Sequence, residues 1–247
     1  MKLNKLSIAA ILSSLLLISA CDQKMSGTYE ADLSTQLDSV SYALGYQNGM
    51  MLKTESIDEV DIHNYNAGLS DGLEGEELMS RDEVFKIINT YIQEISELKG
   101  AENLEKGQAF LEENKDKEGV MVTDSGLQYK VIEEGDGESP SAENIVRVHY
   151  TGRLVDGTIF DTSRKDVAQA NDLYNAQREP YEGAEFPLNR VIPGWTEGVQ
   201  LMSEGAIYEF YIPSDLAYGA QAPRGSSIGP NETLIFKVEL LEVKPAE

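Results

Sequence analysis

The chain is poor in the residues on which most catalytic chemistry depends. Of its 247 residues one is cysteine and two are histidine, His63 and His149. A single thiol cannot close a disulfide within the chain, so stability has to come from buried apolar surface. There is no C-x-x-C and no H-x-x-x-H pair, which argues against metal ligation by sulfur or imidazole. G-x-S-x-G and a glycine-rich phosphate loop are missing as well. A serine triad would have to use His149. That residue has the opposite strand parity to Val148 and Tyr150, so it is expected to face solvent while they face inward. Basic residues are scarce: 20 Lys plus Arg stand against 43 Asp plus Glu, a net charge of −23. Such a surface repels nucleic acid and anionic headgroups. Neither a nucleic-acid partner nor a cofactor is expected.

The first twenty residues read as a signal rather than as part of a fold. Lys2 and Lys5 give a positive start, and Ile8 to Ile18 is an almost unbroken apolar run. Ile18-Ser19-Ala20-Cys21 then sets small residues before the lone cysteine. The run is too short to span a bilayer in the mature chain. This string resembles a bacterial lipobox, which implies cleavage after Ala20, lipidation of Cys21 and anchoring to a membrane of the bacterial cell envelope. Without Lys2 and Lys5 the net charge of −23 becomes −25, which would hold an anchored protein off the bilayer. Residues 21–35 are small and polar, and read as the lipidated cysteine with a flexible tether.

Residues 36–118 contain no proline and read as helical throughout. Val40, Leu44 and Gln47 begin one face. Ile62, Tyr65, Leu69 and Leu73 form a second stripe, with Asp58 or Asp61 as its N-cap. Ser80 and Glu83 have the spacing of a capping box. Beyond it Val84, Ile87, Ile88, Tyr91, Ile92, Ile95 and Leu98 recur at three and four, the strongest helical period in the chain. This third helix is expected to pass Gly100 and Gly107 and to continue as a linking helix, polar all round and crossing solvent, with Gly119 as its stop. Three helices over so few residues make a thin core, so an all-helical domain over 36–118 is expected to dimerise. The glycines in SYALGYQNGM and NAGLSDGL would let helices approach closely.

After Gly119 the texture changes. Leu127–Val131, Val146–Tyr150, Tyr208–Ile212 and Leu234–Val238 alternate as half-buried antiparallel strands do. Pro193-Gly194-Trp195 leads into a short helix over Thr196–Met202. The domain over 119–247 is therefore expected to be α+β, a curved antiparallel sheet wrapped on one short α-helix. Tyr129, Phe210 and Tyr211 read as core. Other aromatic residues sit beside turn signals: Tyr150 before Thr151-Gly152, Phe160-Asp161 after Asp156-Gly157, Phe186 before Pro187, and Tyr218 before Gly219. A tyrosine at a loop tip is a poor core residue, and its hydroxyl is a usable donor.

The strings V-H-Y-T-G, D-G-x-x-F-D-T-S, F-P-L-x-x-V-I-P-G-W-x-E-G-V-Q-L-M, I-P-x-x-L-A-Y-G and T-L-I-F-x-V-E-L-L occur in this order. Together they resemble an FKBP-type peptidyl-prolyl cis-trans isomerase over roughly residues 119–243. The layout before them is similar to the periplasmic, macrophage-infectivity-potentiator-like branch, which is dimeric through its helical domain. The resemblance implies non-covalent isomerisation of X-Pro bonds in proline-containing, unfolded exported polypeptides. It implies Trp195 as the floor under the proline ring and Tyr150, Phe160, Phe186, Val191 and Phe236 as walls. The Ile192 N–H and the Tyr218 hydroxyl would hold substrate carbonyls, Asp161 would stand near the twisting carbonyl, and Ile228 would close the loop side.

Two stretches depart from the family pattern. Phe160 and Phe186 lie 26 positions apart, wider than the minimal family spacing, and the extra segment 164–185 reads as a surface insertion or as a lid beside the pocket. The loop Gln221–Ser227 has no aromatic residue or histidine at its tip, which puts macrolide affinity in doubt.

Overall fold

The computed structural model describes residues 30–247, except Ser56, Ala222, Arg224, Gly225, Ala246 and Glu247. The expected signal, Cys21 and the first part of the tether lie outside the described residues. Three helices come first: α1 (Gln36–Thr54), α2 (Ile62–Glu74) and α3 (Arg81–Asn114). Asp61, not Asp58, caps α2, accepting the Asn64 N–H at 3.1 Å; Asp58 instead pairs with Lys99 at 3.0 Å. The capping box at α3 forms, with Ser80 N–H on Glu83 Oε2 at 2.9 Å and Glu83 N–H on Ser80 Oγ at 3.3 Å. No residue of α1 or α2 is buried. The apolar residues Val40, Leu44, Met50, Leu69, Leu73, Phe85, Ile87, Ile88 and Tyr91 are all exposed. Among the described residues no helix is long and apolar enough to cross a membrane.

The chain divides inside α1, between Tyr46 and Gln47, and α3 belongs to the same compact unit as the sheet. The second half of α3 does not cross solvent, contrary to the sequence expectation. Gly100, Gly107 and Asn114 are its buried residues, and Phe110 packs on Tyr211 with ring centroids 6.0 Å apart. A helix charged on most sides docks here because its contact stripe is built from small and amide side chains, which hydropathy does not register. Asn114 Nδ2 donates to Gln128 Oε1 at 3.0 Å, and Gln128 Nε2 donates to the Leu111 carbonyl at 2.8 Å. The helix also ends at Asn114, before Gly119; Gly119 takes φ +80 in the turn that follows.

Seven strands then form one antiparallel sheet: β1 (Val120–Val122), β2 (Gln128–Glu133), β3 (Ile145–Leu154), β4 (Ile159–Thr162), β5 (Ala184–Pro187), β6 (Ile207–Ile212) and β7 (Leu234–Lys244). The order is β1-β2-β6-β7-β3-β4, with β5 also on β3. The four strands expected from alternation are β2, β3, β6 and β7. Strand β3 does not end at Tyr150 but runs on to Leu154, paired with β7 along its full length. Its other edge is shared, β5 covering Ile145–Val148 and β4 covering Thr151–Arg153. Two further helices lie after β4: α4 (Lys165–Ala170) and α5 (Pro193–Val199). Helix α5 starts at Pro193 rather than Thr196, since proline's fixed φ suits the first helical position.

One core results. Trp195, Val199 and Met202 pack with Val146, Val148, Tyr150, Phe210, Ile212, Phe236 and Val238. Helix α5 sits close to β6 because a Cβ at Gly198 would lie 2.7 Å from the Phe210 ring. Each fully buried large side chain here contributes roughly 1.5–3 kcal/mol, which replaces the missing disulfide. Tyr211 is buried too, on the opposite face of β6, where Phe110 of α3 meets it.

Candidate active site

The sequence scatters Tyr150, Phe186, Trp195 and Phe236 over nearly ninety positions, and the fold brings them together. Alternation on β3 turns Tyr150 inward, register sets Phe236 on β7, β5 carries Phe186, and α5 delivers Trp195. Three rings stand edge-on to the indole. Phe236 is 5.2 Å away at 84°, Tyr150 is 5.5 Å away at 86°, and Phe186 is 5.6 Å away at 79°. Phe160 on β4 adds a fifth ring, 5.4 Å from Phe236 at 83°. Such T-shaped contacts are favoured because a ring edge is positive and a ring face negative. They set three rings nearly perpendicular to the indole plane. Gly152 makes room for this, since a Cβ there would lie 2.6 Å from Phe160 and 2.7 Å from Phe236.

Val191 and Ile192 pack half-buried against the same cluster, and Ile228 is buried. The Ile192 carbonyl accepts the Trp195 and Thr196 N–H groups and so starts α5. No hydrogen bond within the described residues engages the Ile192 N–H. Tyr218, 43 % exposed, follows a 3-10 turn over Ser214–Leu216. Burial, and then the Asp161 charge, push its phenol above the usual range, so it stays a protonated donor. The Trp195 Nε1–H is buried and has no acceptor among the described residues.

Asp161 is the charged member of the group. Its Oδ2 accepts the Tyr150 hydroxyl at 2.6 Å, and its Oδ1 accepts the Arg178 Nη1–H at 2.7 Å and its neighbour's Thr162 N–H at 2.9 Å. Burial first, and the Asp161 bond second, hold the Tyr150 phenol far above the ordinary range. Arg178 also donates to the Thr162 carbonyl at 2.9 Å. Sequence reasoning missed Arg178, because it lies in the inserted segment and no local pattern marks it.

That segment is a folded element. Ala168 of α4 and Tyr181 are buried. Tyr174 stacks on Tyr181 with centroids 5.9 Å apart, its hydroxyl donates to Glu179 at 2.8 Å, and Lys165 pairs with Glu179 at 2.6 Å. Tyr150 lies at the break between β5 and β4, and residues beside the insertion close that break. Ser163 Oγ accepts the Tyr150 N–H at 2.8 Å, and Thr162 Oγ1 donates to the Tyr150 carbonyl at 2.8 Å. His149, on the other face, is half-buried with Nδ1 3.2 Å from Ser163 Oγ, and burial lowers its pKa. Among the described residues no group of three or more His, Cys, Asp or Glu side chains is placed to hold a metal ion.

Residues 136–241 match the family described as FKBP-type peptidyl-prolyl cis-trans isomerase, and residues 37–131 match the domain amino-terminal to it. The chain is 38 % identical to the outer membrane protein MIP of Legionella longbeachae, over 92 % of this chain and 94 % of that protein. The chain belongs to the FKBP-type peptidyl-prolyl cis-trans isomerases. It is also 41 % identical to the FKBP-type 22 kDa isomerase of Escherichia coli, over 82 % of this chain and 93 % of that one. The crystal structure of FkpA from Escherichia coli superposes with a TM-score of 0.58 at 33 % identity, covering 87 % of this chain and all of that one. As an FKBP-type isomerase the chain acts on proline-containing polypeptides, and its helical region followed by a seven-stranded antiparallel sheet is the family's arrangement.

Proposed function

We propose that the aromatic group around Trp195 is the isomerase's working pocket, and that it lowers the barrier by binding the twisted X-Pro amide more tightly than the planar one. Amide resonance sets that barrier at about 18–20 kcal/mol. A twisted amide has lost resonance and charge separation, so a dry apolar pocket favours it over the planar ground state, and each tenfold in rate needs about 1.4 kcal/mol of such preference. Trp195 is the floor, with Tyr150, Phe160, Phe186, Val191 and Phe236 as walls and Ile228 on the loop side. The Ile192 N–H and the Tyr218 hydroxyl hold substrate carbonyls. Asp161, fixed by Tyr150 and Arg178, stands at the twisting carbonyl. The observation that carries this reading is the set of three rings at 79–86° around one indole.

The same reading covers the rest of the chain. Exposed apolar residues on α1, α2 and the first half of α3 support a homodimer through the helical domain, and support a second role in which these arms grip unfolded chains as a chaperone. A relative named as an outer membrane protein, with the lipobox-like string ending at Cys21, supports a lipid-anchored protein of the bacterial envelope acting on exported polypeptides.

The test is cis-to-trans exchange of a short X-Pro peptide, followed by NMR with residues 22–247 and with Asp161→Ala. Acceleration by the first, largely lost in the second, supports the assigned pocket. Equal acceleration by both removes Asp161 and places the working site elsewhere. Suppression of aggregation that survives Asp161→Ala would assign the chaperone role to the helices.

A further inference from the structure

The loops that carry Tyr218 and Ile228 are joined to α3 at Pro230 and Asn231. The Asn231 N–H donates to the Gly219 carbonyl, next to Tyr218, at 2.7 Å. The Asn231 side chain donates to the Gly100 carbonyl of α3 at 3.2 Å. Asn103, one turn further along α3, donates from Nδ2 to the Pro230 carbonyl at 2.9 Å. Asn231 holds φ 55, a left-handed conformation that asparagine tolerates better than most residues.

The helix is shaped for this seat. Gly100, Asn103 and Gly107 are spaced at three and four and share one face. A Cβ at Gly100 would lie 3.1 Å from Asn231 Nδ2 and 3.4 Å from Pro230 Cβ, and one at Gly107 would lie 2.3 Å from Thr233 Oγ1. Residues 230–233 thus rest closely against α3 at Gly100 and Gly107, two residues after Ile228 and directly before β7, which carries Phe236.

We propose that Asn103 and Asn231 are positioning residues of the isomerase, and that α3 holds the Tyr218 and Ile228 side chains of the pocket in register. The proposal rests on the pocket assigned above. A hydroxyl that must meet a substrate carbonyl in the transition state loses effect when its loop is free to move, because misplacement by an ångström removes much of its contribution. Neither asparagine touches the pocket, so their effect is exerted through Tyr218.

The experiment compares the chain from residue 22 with Asn231→Gly, Asn103→Ala and the double variant. Glycine keeps the positive φ and the N–H to Gly219 and removes only the link to Gly100. Exchange of an X-Pro peptide should fall about three- to tenfold in the double variant, through kcat rather than KM. Removal of the Tyr218 hydroxyl should then cost less in the double variant than in the parent, since interacting sites are not additive. Amide signals of residues 218, 219 and 228 should broaden or shift, while those of β2 and β3 stay in place. Unchanged loop signals, or an undiminished Tyr218→Phe effect, would overturn the proposal. Failure of the parent chain to catalyse exchange, with loop signals still responding, would instead count against the pocket assignment and leave the brace standing.

Discussion

Arg178 Nη1 lies 2.7 Å from Asp161 Oδ1, so the inserted segment supplies a direct partner to the carboxylate that the Tyr150 hydroxyl also meets. Arg178→Ala should lower kcat/KM for a short X-Pro peptide roughly three- to tenfold, by freeing a group that was held in place. Arg178→Lys should recover only part of this: both bonds leave the single nitrogen Nη1, and the shorter, more flexible lysine stem holds its ammonium at that point less firmly. The pair is partly exposed, so the melting temperature should move little. Unchanged exchange in Arg178→Ala would mean that Tyr150 and the Thr162 N–H fix Asp161 without it.

Tyr150→Phe keeps the ring beside Trp195 and removes the hydroxyl that Asp161 accepts. Turnover should drop while the melting temperature changes by the equivalent of about 1 kcal/mol. Phe236→Ala should cost about 3–5 kcal/mol of stability as well as most of the activity, because a ring shared by core and pocket is lost. Chemical denaturation beside peptide exchange separates the two effects; a stable Phe236→Ala variant would show that the site collapses around the gap.

Gly107→Ala should destabilise the protein, although alanine is the better helix former by about 1 kcal/mol. The new Cβ would meet Thr233 Oγ1. Adding Thr233→Ala should relieve the clash and restore much of the stability. Calorimetry of both variants decides it, and a plain gain from Gly107→Ala would mean that α3 lifts off the 230–233 segment.

A Cβ added at Gly45, Gly49, Gly68 or Gly72 would meet nothing beyond its own helix within 4 Å among the described residues. Alone, Gly49→Ala should stabilise α1 by about 1 kcal/mol. A second copy packed closely on that face reverses the sign. With a homodimer, Leu44→Glu should give a monomer by sedimentation equilibrium, and Gly49→Ala should weaken association.

Burial and the charge of Asp156 raise the Glu232 pKa above the usual carboxylate range, against a smaller opposing pull from Lys106. An acid whose pKa is higher folded than unfolded penalises the fold when ionised. The penalty is present above the folded pKa and disappears as pH falls below the unfolded one. Glu232→Gln should therefore raise the melting temperature at neutral pH and make no difference in acid. A gain that persists in acid would place its origin elsewhere than in the charge.

The sheet was legible where one face is buried and one is wet, as in Gln128–Val131 and Val146–Tyr150. It was not legible in β4 and β5, which are four residues each and paired only to β3. The aromatic residues that gather around Trp195 could be named from family strings, because those strings are where ring and turn must coincide. Arg178 could not, since its role depends on how a long insertion folds back on Asp161. The docking of α3 was hidden for a different reason. Gly100, Asn103 and Gly107 bind through backbone and amide groups, and the sequence shows glycines only as weak points in a helix.

Strand β7 is the last strand of the sheet in chain order and lies between β6 and β3. During synthesis the chain emerges from its N-terminus, so α3, β2 and β6 are available while the middle of the sheet is still missing. Neither β3 nor β6 has its long partner, and the ring of Phe236 is absent, until Leu234–Lys244 has left the ribosome. The aromatic group around Trp195 therefore cannot close before the chain is all but complete, and a chain cut short before Leu234 would lack both the centre of its sheet and the Phe236 ring.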